Sequence, residues 1–136
     1  MPNATRLTDW QTRLHECITA AKGRAFEWGV HDCCLFAADC VQAITGVDHA
    51  ASFRGQYSTA LGAHRAIAER GGLANFLTRQ LGEPVHPALA QTGDVGLFKE
   101  GEQDALAVWA GSAWFATGPH GTAMIAAPML AVWRCA

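Results

Sequence analysis

Around Pro84 and Pro87 the chain changes its period, and that change limits the fold more than any other feature of the sequence. Upstream, apolar residues recur every three or four positions, the spacing of one helix face. Downstream, short apolar runs alternate with turn residues, the mark of an antiparallel meander. Proline lacks a backbone donor and clashes with the preceding turn, so neither Pro84 nor Pro87 belongs inside a helix. Helices first and strands last predict a single α+β domain over residues 1–136, its helical half packed on a C-terminal antiparallel sheet. That length gives room for one domain with a real core.

Thr8 and Gln11 have the spacing of a capping box, so a first helix is expected to run to about Lys22 and to end at Gly23. Trp10, Leu14, Cys17, Ile18 and Ala21 fall on its inner face, with His15 in solvent. A central helix is expected from Asp32, as N-cap, to Gly46, as a left-handed C-terminal cap. The segment Phe53–Tyr57 reads as a turn with a packed aromatic; the alternative makes Arg54 a clamp for a carboxylate or for the following helix. Ser58 or Thr59 caps a third helix, with His64 on the surface and Gly71-Gly72 at its end. A short fourth helix turns Leu73, Phe76, Leu77 and Leu81 inward. Strands are expected near 95–98, 105–110, 113–117, 122–126 and 131–134, with turns at 100–102, 111–112, 118–121 and Pro128.

The chemistry concentrates where the central helix begins. Cys33 is its first residue, where the positive end of the helix dipole and free N–H groups favour a thiolate. The other role for such a cysteine is packing alone. Cys34 points about a hundred degrees away around the helix and is expected in the core. Five cysteines, with no secretory leader in the first residues, suggest reduced thiols in a protein made in a cytoplasm. Cys33, Cys34, Cys40 and Cys135 lack the paired spacing of a zinc or iron–sulfur site, so no metal or cofactor is expected. A net charge of −2 gives no electrostatic reason to bind nucleic acid. Nor is any apolar run long enough to insert in a membrane. Trp109, Trp114 and Trp133 fall in expected strands and serve either the core or a protein-contact surface.

Trp28-Gly29, then Asp32-Cys33 opening an apolar helix, then Gly93 to Phe98 in the order Gly-Asp-Val-Gly-Leu-Phe resemble the NlpC-type cell-wall peptidases, which have a papain-like fold. More closely, Phe-Glu-Trp-Gly-Val-His-Asp-Cys-Cys-Leu-Phe-Ala-Ala-Asp (26–39), Ile-Thr-Gly-Val-Asp, Phe-Arg-Gly-Gln-Tyr and the closing Ala-Val-Trp-Arg resemble a phage-encoded family whose members accompany tail-assembly proteins. This closer resemblance covers nearly the whole chain. It implies a papain-like domain carried in the phage tail and made in the host bacterial cytoplasm. The implied partners are other tail-tip proteins, with peptidoglycan as a further one.

A cysteine nucleophile needs a base within reach, usually a histidine held by a third polar group. Aligned without gaps, the peptidases' histidine falls on Ala105, their third polar group near Ala116 or Thr117, and a tyrosine of theirs on Phe26. Only the cysteine is kept. The resemblance therefore implies a tail component with a degenerate site, the alternative being a cysteine endopeptidase or amidase acting on peptidoglycan during entry. If the domain is active, Cys33 is the nucleophile. His120, in the turn beside Ala105 at the same end of the sheet, is then the first candidate base, and His31 the second. Asp94 is expected to cap or turn its strand rather than to catalyse.

Overall fold

The computed structural model describes residues 5–136. Four α-helices precede a five-stranded antiparallel sheet, the α+β order expected from the change of period. Helix α1 spans Trp10–Lys22, α2 Cys33–Thr45, α3 Ala60–Glu69 and α4 Leu73–Leu81. One turn of 3-10 helix at Pro87–Leu89 then leads to β1 (Val95–Glu100), β2 (Gln103–Trp109), β3 (Trp114–Gly118), β4 (Gly121–Ile125) and β5 (Ala131–Trp133).

Three helix starts follow from local chemistry, and one corrects the sequence expectation. The Asp32 carboxylate accepts from the Leu35 N–H at 3.0 Å, and Gly46 closes α2 at φ 81°. At α3 the cap is Thr59 rather than Ser58, its hydroxyl accepting from the Gly62 N–H. Gly72, at φ 93°, leads directly into α4. The Thr8–Gln11 capping box does not form. Asp9 is the N-cap instead, at φ −106° and ψ 28°, without a side-chain bond. The backbone enters α1 through a tight turn, with the Trp10 N–H on the Leu7 carbonyl, so Thr8 lies inside the turn and the helix starts one residue later than a Thr8 cap would place it.

The sheet order is β4-β3-β2-β1-β5. The first four strands form the expected meander, and β5 returns to the free side of β1, pairing Trp133 with Val95 and Ala131 with Leu97. Helix α2 lies at the centre, with Leu35, Phe36, Cys40 and Ile44 fully shielded from solvent. Its main core includes Leu14 and Ile18 of α1, Leu77 and Leu81 of α4, and Val95, Leu106, Val108 and Trp133 of the sheet. In β2, Ala105 through Val108 are all buried: Leu106 and Val108 join that core, while Ala105 and Ala107 join a second cluster with Phe98 and Ala116. A strand covered on both faces shows no polar alternation.

Arg54 does act as a clamp, on carboxylates of its own chain. Its guanidinium reaches Asp48 at 2.9 Å and Asp39 of α2 at 2.8 Å, while Phe53 beside it is buried. The preferred expectation of a turn with a packed aromatic captured only the second half.

Candidate active site

Cys33 is held by two loops that Asp32 locks together. Besides capping α2, the buried Asp32 carboxylate accepts from the Gly29 N–H at 3.0 Å and from the Tyr57 hydroxyl at 2.8 Å. Gly29 has φ 81°, and its carbonyl accepts from the Gly55 N–H at 2.9 Å. A Cβ at Gly29 would lie 2.0 Å from the Tyr57 carbonyl oxygen, so only glycine permits this approach. Glu27 and His31 exchange backbone bonds and close the intervening turn. Burial, and then the hydrogen bond to Asp32, push the Tyr57 phenol far up, so it stays a donor.

The two adjacent sulfurs touch. Cys33 Sγ lies 3.8 Å from Cys34 Sγ, although the two residues start a helix and diverge around its axis. Cys34 is therefore only partly the core residue expected of it. One side of it faces an apolar cavity of about 40 Å³ with Phe53, Phe76 and Leu77, and the other reaches the Cys33 cleft. The Cys33 thiol is lowered from its ordinary value, first because the Cys34 S–H donates to the thiolate; the Leu106 backbone N–H acts in the same direction. Burial and the charges of Asp32 and Glu100 oppose this. Cys34, as the donor and as a buried group, is pushed well up. The pair thus divides its roles, with Cys33 the first of the two to ionise.

Cys33 opens into a cleft of about 230 Å³ walled by Phe26, Trp28, His64, Glu100, Asp104 and Thr117. Phe26 and Trp28 meet edge to face at 4.8 Å. A second hollow of about 150 Å³ shares Cys33, Ala105 and Thr117 and reaches His120. The β3–β4 turn thus brings His120 to the same end of the sheet as Ala105, as the hairpin argument expected, but its ring is exposed and makes no hydrogen bond to Cys33. His31 goes elsewhere: it is 1 % exposed, lies edge to face with Phe36 at 6.4 Å, and is not on the cleft wall. The position aligned with a base, Ala105, is buried in the same apolar cluster that Cys33 packs against.

Sequence reasoning missed three cleft residues. His64 was placed on the surface; it is exposed, but on the face of α3 that also turns Ala60, Ala63 and Ile67 toward Cys33. That spacing of three, four and seven was readable as one helix face. Glu100 and Asp104 flank the β1–β2 turn and bring negative charge to the cleft, a placement that depends on strand register. Asp94 does turn its strand, its carboxylate accepting from the Gln91 N–H at 2.8 Å. Chemically, the site offers a thiolate-prone sulfur at a helix N-terminus, and among the described residues no histidine is bonded to it.

Among the described residues no three His, Cys, Asp or Glu side chains are grouped to hold a metal, and no helix is long and apolar enough to cross a membrane. Neither a curated protein nor a solved structure matches the chain. A family model does match, over residues 5–135, and the chain therefore belongs to the family described as Domain of unknown function (DUF6950).

Proposed function

We propose that this is a papain-like, NlpC-type domain serving as a phage tail-tip or tail-assembly component, its peptidase site degenerate. The observation that carries the loss of peptidase function is Ala105. At the position where the resemblance puts the base, a buried methyl group packs against Cys33, and among the described residues no proton acceptor is bonded to the sulfur in its place. A thiol without a bonded base lacks the proton relay that splits amide bonds. The role in the tail rests on the resemblance, which runs through the Asp32-Cys33 helix start, the Arg54 loop and the closing strand. In this reading the domain is made in the host cytoplasm and works through contacts with neighbouring tail proteins.

One feature favours the second reading, a cysteine endopeptidase or amidase acting on peptidoglycan: the lowered Cys33 thiol opens into a cleft of about 230 Å³. His120 would then be the base, after a movement of its turn. Two measurements separate the readings. Mass spectrometry of purified virions and assembly intermediates should find the protein at a fixed copy number; its absence from both would overturn the structural role. On purified peptidoglycan, the wild type, Cys33→Ala and His120→Ala should show equal, negligible turnover. Turnover that both substitutions abolish would establish the hydrolase.

A further inference from the structure

Away from the cleft, a second pair of thiols meets between the first two helices. Cys17 of α1 and Cys40 of α2 lie 23 residues apart in sequence, yet their sulfurs are 3.9 Å apart. Cys40 is fully buried, whereas Cys17 is half-buried and lines a surface groove with Arg13, Arg24 and Asp39. The sequence placed Cys17 simply in the core. The structure instead gives one thiol that solvent reaches and a second directly behind it. We propose that Cys17 and Cys40 are a thiol–disulfide exchange site, which a small disulfide such as oxidised glutathione converts into a covalent staple between α1 and α2.

The geometry supplies each part of the exchange. The half-buried sulfur, which the groove opens to solvent, attacks first. As a thiolate, Cys17 displaces one glutathione thiolate from oxidised glutathione and forms a mixed disulfide. Cys40 then attacks the Cys17 sulfur, its proton passing to the departing glutathione sulfur. That step releases the second glutathione as a thiol and leaves the Cys17–Cys40 bond. Two protein thiols are oxidised and one disulfide is reduced to two thiols, so electrons balance. Bond formation needs the sulfurs to close from 3.9 Å to about 2.05 Å, a shift that two side chains can share. The ionisation order agrees. Cys17 is lowered, first by the Cys40 S–H and also by Arg24, while burial pushes Cys40 well up. Attacking and resolving roles are therefore already assigned. Cys135, the other buried cysteine near this pair, is pushed up by burial to about 11 and competes poorly as an attacking thiol.

The test uses the full chain, incubated with oxidised glutathione near neutral pH, alkylated, and cleaved before aspartates. Such cleavage puts Cys17 in residues 9–31, Cys33 and Cys34 in 32–38, and Cys40 in 39–47. The expected product joins 9–31 to 39–47 with the loss of two hydrogens. The thermal midpoint should rise by about 10 °C, as for closure of a loop of this size. Dithiothreitol should reverse both changes. Cys17→Ser, which alters a half-buried position and leaves Cys40 in place, should show neither the linkage nor the rise. A mixed disulfide that persists on Cys17 would overturn the proposal. So would linkage of 9–31 to a fragment other than 39–47, a free Cys17 thiol after full incubation, or linkage without a gain in midpoint.

Discussion

Cys33 and Cys34 are neighbours of one residue type that have been given opposite characters. The first sits at the helix N-terminus with its thiol lowered by the second, which holds its own proton more tightly and so serves as the donor. The Cys34 S–H stabilises the Cys33 thiolate, so removing it should raise the Cys33 pKa. At pH 7 alkylation of Cys33 in Cys34→Ala should be about three- to tenfold slower than in the wild type, since one pKa unit is about tenfold in thiolate fraction. Following adduct formation by mass on residues 32–38 checks this, and an unchanged rate would show that the helix terminus alone sets the reactivity. The sequence made Cys33 legible because cap, dipole and first-turn position are local properties. It could not show the sulfur–sulfur contact, which depends on how the two side chains pack in the folded cleft. The exposure of Cys17 was hidden for the same reason: a helix stripe says which side faces in, not where a groove reaches it.

At the scale of elements, the site depends on a loop lock more than on any helix. Gly29, Asp32 and Tyr57 join the approach to α2 with the loop before α3, through one carboxylate that takes three donors. Gly29→Ala introduces a Cβ at 2.0 Å from a backbone oxygen and a left-handed φ of 81°. It should cost about 3 kcal/mol in urea unfolding. Tyr57→Phe removes one of the three bonds without a clash and should cost about 1 kcal/mol. Equal effects of the two would mean that the backbone approach at Gly29 is not tight. The Asp32 cap was legible because Asp before an apolar helix has one physical use. The Thr8–Gln11 box was not, because Asp9 offers a competing start and the Leu7–Trp10 backbone turn decides between them. Gly29 gave no signal of its role, since its partner carbonyl is 28 positions away in the chain.

For the molecule as a whole, the order of helices and strands was legible from periodicity, but the sheet order was not. Antiparallel neighbours in a meander follow from short turns, whereas β5 pairs back onto β1 after a longer connection, for which no local residue codes. The same long-range packing buries His31 behind Phe36, away from the cleft wall, and couples its titration to stability. Burial lowers its pKa from the ordinary 6.5, and Arg24 adds to this, while Asp39, the Ala21 carbonyl and Asp32 oppose. Above about pH 6.5 the ring is neutral both folded and unfolded, so its favourable contribution is fully present. As the pH falls below 6.5 the unfolded chain takes up the proton first, and stability drops until the lower folded pKa is passed. Asp48 acts in the same direction at more acid pH, because Arg54 holds its carboxyl below the usual range. Asp94, raised by burial, acts in the opposite direction. Subtracting a His31→Leu profile from the wild-type profile removes both aspartates from the comparison. Unfolding free energies from urea titrations at pH 8 to pH 5 should therefore fall more steeply below 6.5 in the wild type than in His31→Leu, by no more than about 1.4 kcal/mol per pH unit for one proton. Parallel profiles would mean that His31 takes up its proton equally in the folded and unfolded states, and would place the acid sensitivity elsewhere.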